Sequence, residues 1–428
     1  MAKRLVGAEL RIWLVAAVAA LCAVPSAMAQ DKTANTPQPP HATRERMLAD
    51  RIPDKPSQPP AFTVSVEPLG FSAPGAIYLG QRNSLVSLDF LDEDRLLFTF
   101  RVPGLIHREA GDADSDGERQ IRAVVVKLPA GTVEAEALWT VHDRARYLWM
   151  LKDGRFLLRD RDNLEVSDAS LELKPYLHFP GSLEWLGMDP TQQFLVTNSR
   201  EPAAKAQPAG EPDLAVRILR RDSGQVMLVS RVRSSVHLPI NDVGYLESLR
   251  AKGNAWLLNL NYFSGGSTIL GQVDSTCSPL FDFVSQREVL VTTCTPSGVG
   301  KLVAMRTDGR RLWEALTSES TVWPLLVRSP DGLRLAREAL AVDHPVTDRS
   351  PLDQQDIKGQ LVEVLDAADG KMALEAAASP ILDAGGNVAI SSSGRRVAVI
   401  SGGAIRVFEL PPPPPLPLAD PVAHQPEH

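Results

Sequence analysis

"SPDGLRLA", Ser329 to Ala336, is a polar turn followed by alternating apolar residues. Asp-Gly is a turn dipeptide, and the alternation after it has the two-residue period of a strand with one face buried. The plan recurs along the chain. "SSSGRRVAVIS" (391–401) and "MDPTQQFLVTNS" (188–199) align with it turn for turn. "LKDGRFLLRD" (151–160) and "LDEDRLLFTFR" (91–101) keep it, and "RAKGNAWLLNLN" (250–261) and "VSQREVLVTTC" (284–294) are weaker copies. An apolar run precedes each: "LVSLDF", "YLWML", "LEWLGM", "VGYLES", "PLFDFV", "VWPLLV" and "NVAIS". An apolar run, a short polar turn and a second apolar run make a β-hairpin, so the sequence predicts seven inner hairpins.

A second hairpin type follows most of them. "VVVKLPAGTVEAEALW" (124–139), "RILRRDSGQVMLVSRV" (217–232), "VAMRTDGRRLWEAL" (303–316) and "VEVLDAADGKMALEA" (362–376) each place a glycine at the turn, where positive φ is needed. The unit is therefore four strands. Its inner turns fall near Asp94, Gly154, Gln192, Gly253, Gln286, Gly332 and Gly394. One such sheet cannot bury both faces, but a ring of them can. The predicted fold is all-β: a single β-propeller over residues 61–410, with seven four-stranded blades. Six blades, with the weak units around 235–320 merged, is the alternative. The last unit runs into a proline stretch after "AIRVFEL" (404–410) and lacks an outer strand. "AFTVSVEPLGF" (61–71) alternates as a strand should and is expected to supply it, closing the ring.

These motifs carry a resemblance. "SPDGLRLA" and "SSSGRRVAV" resemble the WD40-like and YVTN-type propeller repeats of exported bacterial proteins, and "RTDGRRLW" and "DAADGKMALE" resemble the outer hairpin of quinoprotein-like propellers. The whole chain is similar to uncharacterised exported propeller proteins of Acidobacteria. The resemblance implies the fold and export. It implies no particular chemistry, because propellers host binding proteins, hydrolases, lyases and quinone enzymes.

The ends read differently from the middle. Lys3, Arg4 and Arg11 precede or enter the apolar run Ile12–Val24, and Ala27-Met28-Ala29 ends it with small residues. Residues 1–29 are expected to be a removable signal peptide, which places the mature protein in the periplasm or outside the cell. Residues 30–60 and 411–428, both proline-rich, are expected to be disordered flanks. No later stretch is long and apolar enough for a membrane span. The chain carries a net charge of −7, and loss of the signal makes the mature form more acidic. That excludes a nucleic-acid partner and favours a soluble monomer.

Extra residues gather in the links between second and third strands: 102–120, 200–213, 263–267, 295–300 and 343–359. In an up-and-down blade those links share one face of the ring with the crossovers between blades, and that face is expected to bind. "DADSDG" in the first link has the alternating carboxylates of a calcium loop. Asp112, Asp114 and Asp116 are the candidate ligands, with the carbonyl of Glu118 a fourth. Gln120 and Ala123 stand where further ligands are usual, and a solvated acidic loop is the competing reading. "HDRARYLW" crosses to the second blade, and His142, Asp143, Arg144, Arg146 and Tyr147 are the candidate binding-face residues. Sequence neighbours on a strand point apart, which favours an ion-pair network there over catalysis. Apart from calcium no cofactor is expected: HExxH, paired CxxC, GxSxG and phosphate-cradling glycine loops are all missing.

Cys277 and Cys294, the two cysteines left after the signal, flank the fifth inner hairpin. Folding that hairpin about Gln286–Arg287 brings Ser278 or Pro279 opposite Cys294, so a disulfide is expected. Taken together the sequence predicts an exported, non-enzymatic binding or scaffold module for a protein or small molecule. The alternatives are a propeller hydrolase or lyase with a polar site at the channel mouth, and a structural envelope protein.

Overall fold

Polar turns of the expected kind fold the apolar runs back on themselves, and the pairs line up into seven sheets. The computed structural model describes residues 46–73, 85–104, 117–142, 146–200, 214–295, 300–346, 352–382 and 385–416. Blade 1 is Ser87–Asp92, Arg95–Arg101, Arg119–Lys127 and Thr132–Val141, from the inside outwards. Blade 2 is Leu148–Met150, Phe156–Asp160, Asn163–Ser167 and Lys174–His178. Blade 3 is Ser182–Met188, Phe194–Arg200, Leu214–Arg220 and Val226–Val232. Blade 5 is Leu280–Phe283, Glu288–Cys294, Gly300–Arg306 and Arg311–Leu316. Blade 6 is Thr321–Arg328, Arg334–Val342, Ile357–Asp366 and Met372–Ala378. Blade 7 is Val388–Ile390, Arg396–Ser401, Ala404–Glu409 and, from the other end of the chain, Phe62–Ser65. That last strand runs antiparallel to Ala404–Glu409, with Phe62 opposite Val407 and Ser65 opposite Ala404.

The apolar residues of each strand face the neighbouring blades. They form seven separate clusters, one for each joint between consecutive blades. Seven joints among seven blades make a closed ring. The closing joint is packed by Val64, Phe71, Leu88, Phe98, Phe100, Ile400 and Ile405, with Phe71 edge-on to Phe98 and to Phe100 at 5.3 Å. Burying one such side chain contributes about 1.5–3 kcal/mol, so the clasp strand is held by side chains as well as by its ladder.

Blade 4 corrects the sequence reading. "VGYLES" was expected to be its innermost strand, with an inner turn at Gly253. Gly244–Arg250 is instead the second strand, followed by Ala255–Tyr262 and Ser267–Asp274. The inner position is taken by residues 236–240, joined to the next strand by the Ile240–Tyr245 bridge and by a 2.9 Å bond from the Leu246 amide to the Pro239 carbonyl. The inner turn is at Asn241–Val243, beside Gln286 of blade 5. The turn at Gly253 therefore lies on the loop-bearing face, and "FSGGS" lies on the opposite, short-turn face. Pro239 has no N–H to give to a ladder, so this segment carries little strand signal, yet it is tolerated because the innermost strand is an edge.

The expected N-terminal tether is also shorter than the sequence suggested. Arg46–Met47 pairs in parallel with the outer strand of blade 5. Leu48 is buried between blades 5 and 6. The Ala49 amide donates to Glu363 Oε1 at 2.6 Å, the Ser57 amide to the carbonyl of Glu375 at 2.9 Å, and the Gln58 side chain to that of Glu409 at 3.2 Å. Residues 46–61 are thus a strap across blades 5, 6 and 7. At the other end, Arg334 Nη2 holds the Pro411 carbonyl at 2.8 Å, and Leu416 packs at the blade 5–6 joint. Residues 1–45 and 417–428 lie outside the described residues. Among the described residues no helix is long and apolar enough to cross a membrane.

Candidate functional site

The loop-bearing face begins where outer strands hand over to the next blade. At the first crossover, the His142 amide donates to Asp160 Oδ1 at 2.9 Å, and its Nδ1 is 3.0 Å from both carboxylate oxygens. A carboxylate accepts, so Nδ1 carries the hydrogen and Asp160 fixes the ring's orientation. Arg119 Nη1 donates to the carbonyls of Gly117 (2.5 Å) and His142 (3.1 Å), tying the end of the first long link to the crossover. Of the residues grouped with His142, Arg146 and Tyr147 do not stay with it. Arg146 donates from Nε to the Leu148 carbonyl at 3.0 Å and lies 5.5 Å from the centre of the Trp149 ring. Tyr147, expected on the binding face, is buried between blades 1 and 2. Its hydroxyl donates to the Leu85 carbonyl at 2.8 Å and is 2.6 Å from Thr99 Oγ1. Burial pushes that phenol well above its ordinary range. It is a joint residue, because strand alternation turns it inward between two blade faces. Asp143 and Arg144 lie outside the described residues, as do Asp112, Asp114 and Asp116; Glu118, half-buried, immediately precedes the third strand of blade 1.

The short-turn face is built differently. Arg328 ends the inner strand of blade 6. Its Nη1 donates to the Phe283 carbonyl of blade 5 at 2.6 Å, and its Nη2 to the Met188 carbonyl of blade 3 at 3.3 Å. The guanidinium therefore reaches across the channel mouth. Desolvation lowers its pKa, against the pull of Asp282 and Asp189. Gln192, held at φ 62°, uses its amide to accept from the Lys152 N–H at 2.7 Å and to donate to the Met150 carbonyl at 3.0 Å, bridging blades 3 and 2. In the equivalent turn of blade 6 the left-handed position is Gly332, at φ 76°. A depression of about 680 Å³ opens on this face, lined by Asp92, Glu93, Lys152, Asp153 and Asp168 among others. Its carboxylates are already engaged: Asp92 by Arg95, Asp153 by Arg155, Glu93 by the Ser393 amide and Asp168 by the Ser170 amide.

Two further groups stand on inner strands. Asp89 accepts from the Ser87 hydroxyl at 2.5 Å, and desolvation pushes its carboxyl up to about 6, with the hydrogen bond and the Arg146 charge opposing. His237, on the irregular segment of blade 4, is 2.9 Å from Asp282 Oδ1 and edge-on to Trp185. Burial alone would lower its pKa, but the Asp282 bond and charge outweigh it and raise it. Neither was singled out in the sequence: Asp89 sits inside an apolar strand, and His237 belongs to a segment with no strand period. The expected disulfide is present. Cys277 and Cys294 have Cα atoms 5.5 Å apart. Leu280 pairs with Thr292 and Phe283 with Val289, the register that carries Ser278 opposite Cys294.

No family model matches the chain, and no curated protein matches it. Among solved structures, the WD40 domain of Toxoplasma gondii coronin is similar over 86% of this chain and 89% of its own, at 9% identity and a TM-score of 0.44. A chain of a mitotic checkpoint complex is similar over 90% of this chain and 98% of its own, at 10% identity and a TM-score of 0.43. The C-terminal WD40 domain of Sif2 is similar over 82% of this chain and 99% of its own, at 11% identity and a TM-score of 0.40.

Proposed function

We propose that the protein is an exported, non-enzymatic binding or scaffold module that holds a protein or small-molecule partner on its loop-bearing face. The observation that carries this reading is the asymmetry of the ring. On the short-turn face, Arg328, Gln192 and Gln286 are engaged in joining blades to one another. The strand ends that carry the long links, Arg101, Arg200 and Val342, and the outer-strand ends that lead into the crossovers, Val141 and Ala378, all lie on the other face. Loops carried on a rigid scaffold are where recognition surfaces are built. Export, to the periplasm or beyond, rests on the N-terminal signal pattern, the bacterial repeats the chain resembles and a disulfide suited to an oxidising compartment. A photo-crosslinking amino acid placed in cells at Asp343 or Arg101, on the loop-bearing side, should give a discrete adduct. The same group at Asp308 or Arg395 should not. Adducts from the second pair alone would overturn the assignment of the face.

Calcium belongs to the same proposal, held by Asp112, Asp114, Asp116 and the Glu118 carbonyl. Millimolar calcium should raise the melting temperature and Asp114→Ala should abolish the rise; an unresponsive wild type refutes it. The competing enzymatic reading, a hydrolase or lyase, draws on Asp89 alone, a carboxyl near pKa 6 on an inner strand.

A further inference from the structure

The second and third strands of blade 6 are joined by the long link on the loop-bearing face. The register of those strands sets Val342 opposite Ile357, so the two ends of the link meet. The Asp343 amide donates to the Asp356 carbonyl at 3.2 Å. We propose that Asp343, His344 and Asp356 form a binding site for a first-row divalent metal ion, with zinc the ion it fits best.

Each residue offers one donor atom, and the three atoms lie within 4.8 Å of one another. His344 Nε2 is 3.3 Å from Asp356 Oδ2 and 3.9 Å from Asp343 Oδ1. Bonds of about 2.0–2.1 Å to a tetrahedral ion space the ligands about 3.3 Å apart. A proton on Nε2 is the other cation that could sit between these groups. It would draw one carboxylate to about 2.7–2.9 Å. One nitrogen facing two carboxylates at these longer distances suits a central ion better.

The surroundings orient the ligands. His344 Nδ1 lies 3.1 Å from the Pro345 carbonyl oxygen. That carbonyl can only accept, so Nδ1 carries the hydrogen, and in the neutral ring it is Nε2, the atom facing the two carboxylates, that would bind a metal. Asp356 Oδ2 accepts from the Asp353 amide at 2.8 Å, fixing that carboxylate on the short turn Gln354–Asp356. Lys358 Nζ holds Asp343 Oδ2 at 2.7 Å, which directs Oδ1 towards the imidazole. Among the described residues, two carboxylates face one lysine at the site. One imidazole with carboxylates selects a borderline ion such as Zn²⁺ over Ca²⁺, which takes oxygen alone. Among the described residues, three protein ligands leave a fourth position open.

The test uses the full mature protein, stripped with a chelator and titrated with Zn²⁺ against a chromophoric competitor, with thermal melting in parallel. One equivalent should bind and raise the melting temperature. His344→Gln and Asp356→Asn should each weaken binding about tenfold or more, and Asp343→Asn serves in place of either that fails to fold. Absence of zinc binding, or binding that survives both substitutions, overturns the site; in the second case the zinc sits on other histidines of the chain.

Discussion

Gln286 of blade 5 donates to Oδ2 of Asp189 in blade 3 at 2.9 Å, passing over blade 4. Its carbonyl end accepts from the Asp242 amide at 2.8 Å, and its backbone carbonyl from Asn241 at 3.2 Å. One side chain thus locks the turn of the blade whose inner strand is least regular to the blades on either side. Asp189 is fully buried and also accepts from the amides of Thr191 and Phe194. Gln286→Ala removes one donor to a buried carboxylate and should cost about 1–3 kcal/mol. The melting temperature should fall by a few degrees, and Asp189→Ala should cost more. Unchanged melting of Gln286→Ala would mean the three blades hold together without it.

The strap gives the second prediction. Chains beginning at Arg46 and at Ala61 differ only in residues 46–60. The shorter one exposes the Leu48 pocket and leaves Glu363 with Arg337 but without the Ala49 amide. It should be less stable by about 1.5–3 kcal/mol from the lost burial of Leu48 alone, and so melt at a lower temperature. A chain beginning at Ser72, which also lacks the clasp strand, should aggregate through the bared edge of Ala404–Glu409. Equal melting of the first two chains would show that the strap contributes nothing.

Acid titration gives the third. Glu338 is buried at the blade 6–7 joint, where its carboxylate accepts from Gln360 Nε2 at 2.7 Å. Burial pushes its carboxyl up from 4.5 to about 7, against the opposing bonds from the Gly386 and Asn387 amides. Between those two values the native state keeps a proton that the unfolded chain has released. Fewer protons on the unfolded chain make stability fall as pH rises through this window and stay lower above it. Glu338→Gln cannot ionise, so its melting temperature should decline less between pH 5 and 7.5 than the wild type's. Parallel profiles would contradict the raised value.

The disulfide gives the fourth. Protein exported to the periplasm should have an intact mass about 2 Da below the dithiol form and no alkylatable thiol. Reduction should remove about 3 kcal/mol in the chain-entropy treatment of such a loop. Two thiols in exported protein would contradict the bond.

Much of this ring is legible because each blade repeats a local signal. Turn residues and two-residue alternation depend on neighbours in sequence, and they located six of the inner hairpins, the clasp and the cysteine register. Blade 4 failed where that signal fails: Pro239 interrupts the alternation of 236–240, and the more regular "VGYLES" took its place. The strap failed for a related reason. Residues 46–60 are held by a two-residue strand, by isolated hydrogen bonds and by Leu48 in a pocket between blades, none of which has a period. The site was less legible still. His142 was grouped with its sequence neighbours, and the structure pairs it with Asp160, supplied by the adjacent blade. Arg328 reaches a carbonyl 140 positions away. Contacts across the ring depend on blade geometry, which composition and spacing do not contain.

The claim that the loop-bearing face is the functional one is tested most directly by replacing its links. Residues 102–118 and 343–356 are exchanged for short glycine-containing turns, leaving the strands and the short-turn face intact. The ring should remain folded, with a cooperative melt, and the crosslinked adduct formed from Arg101 should disappear. A folded ring that still forms the same adduct would contradict the account.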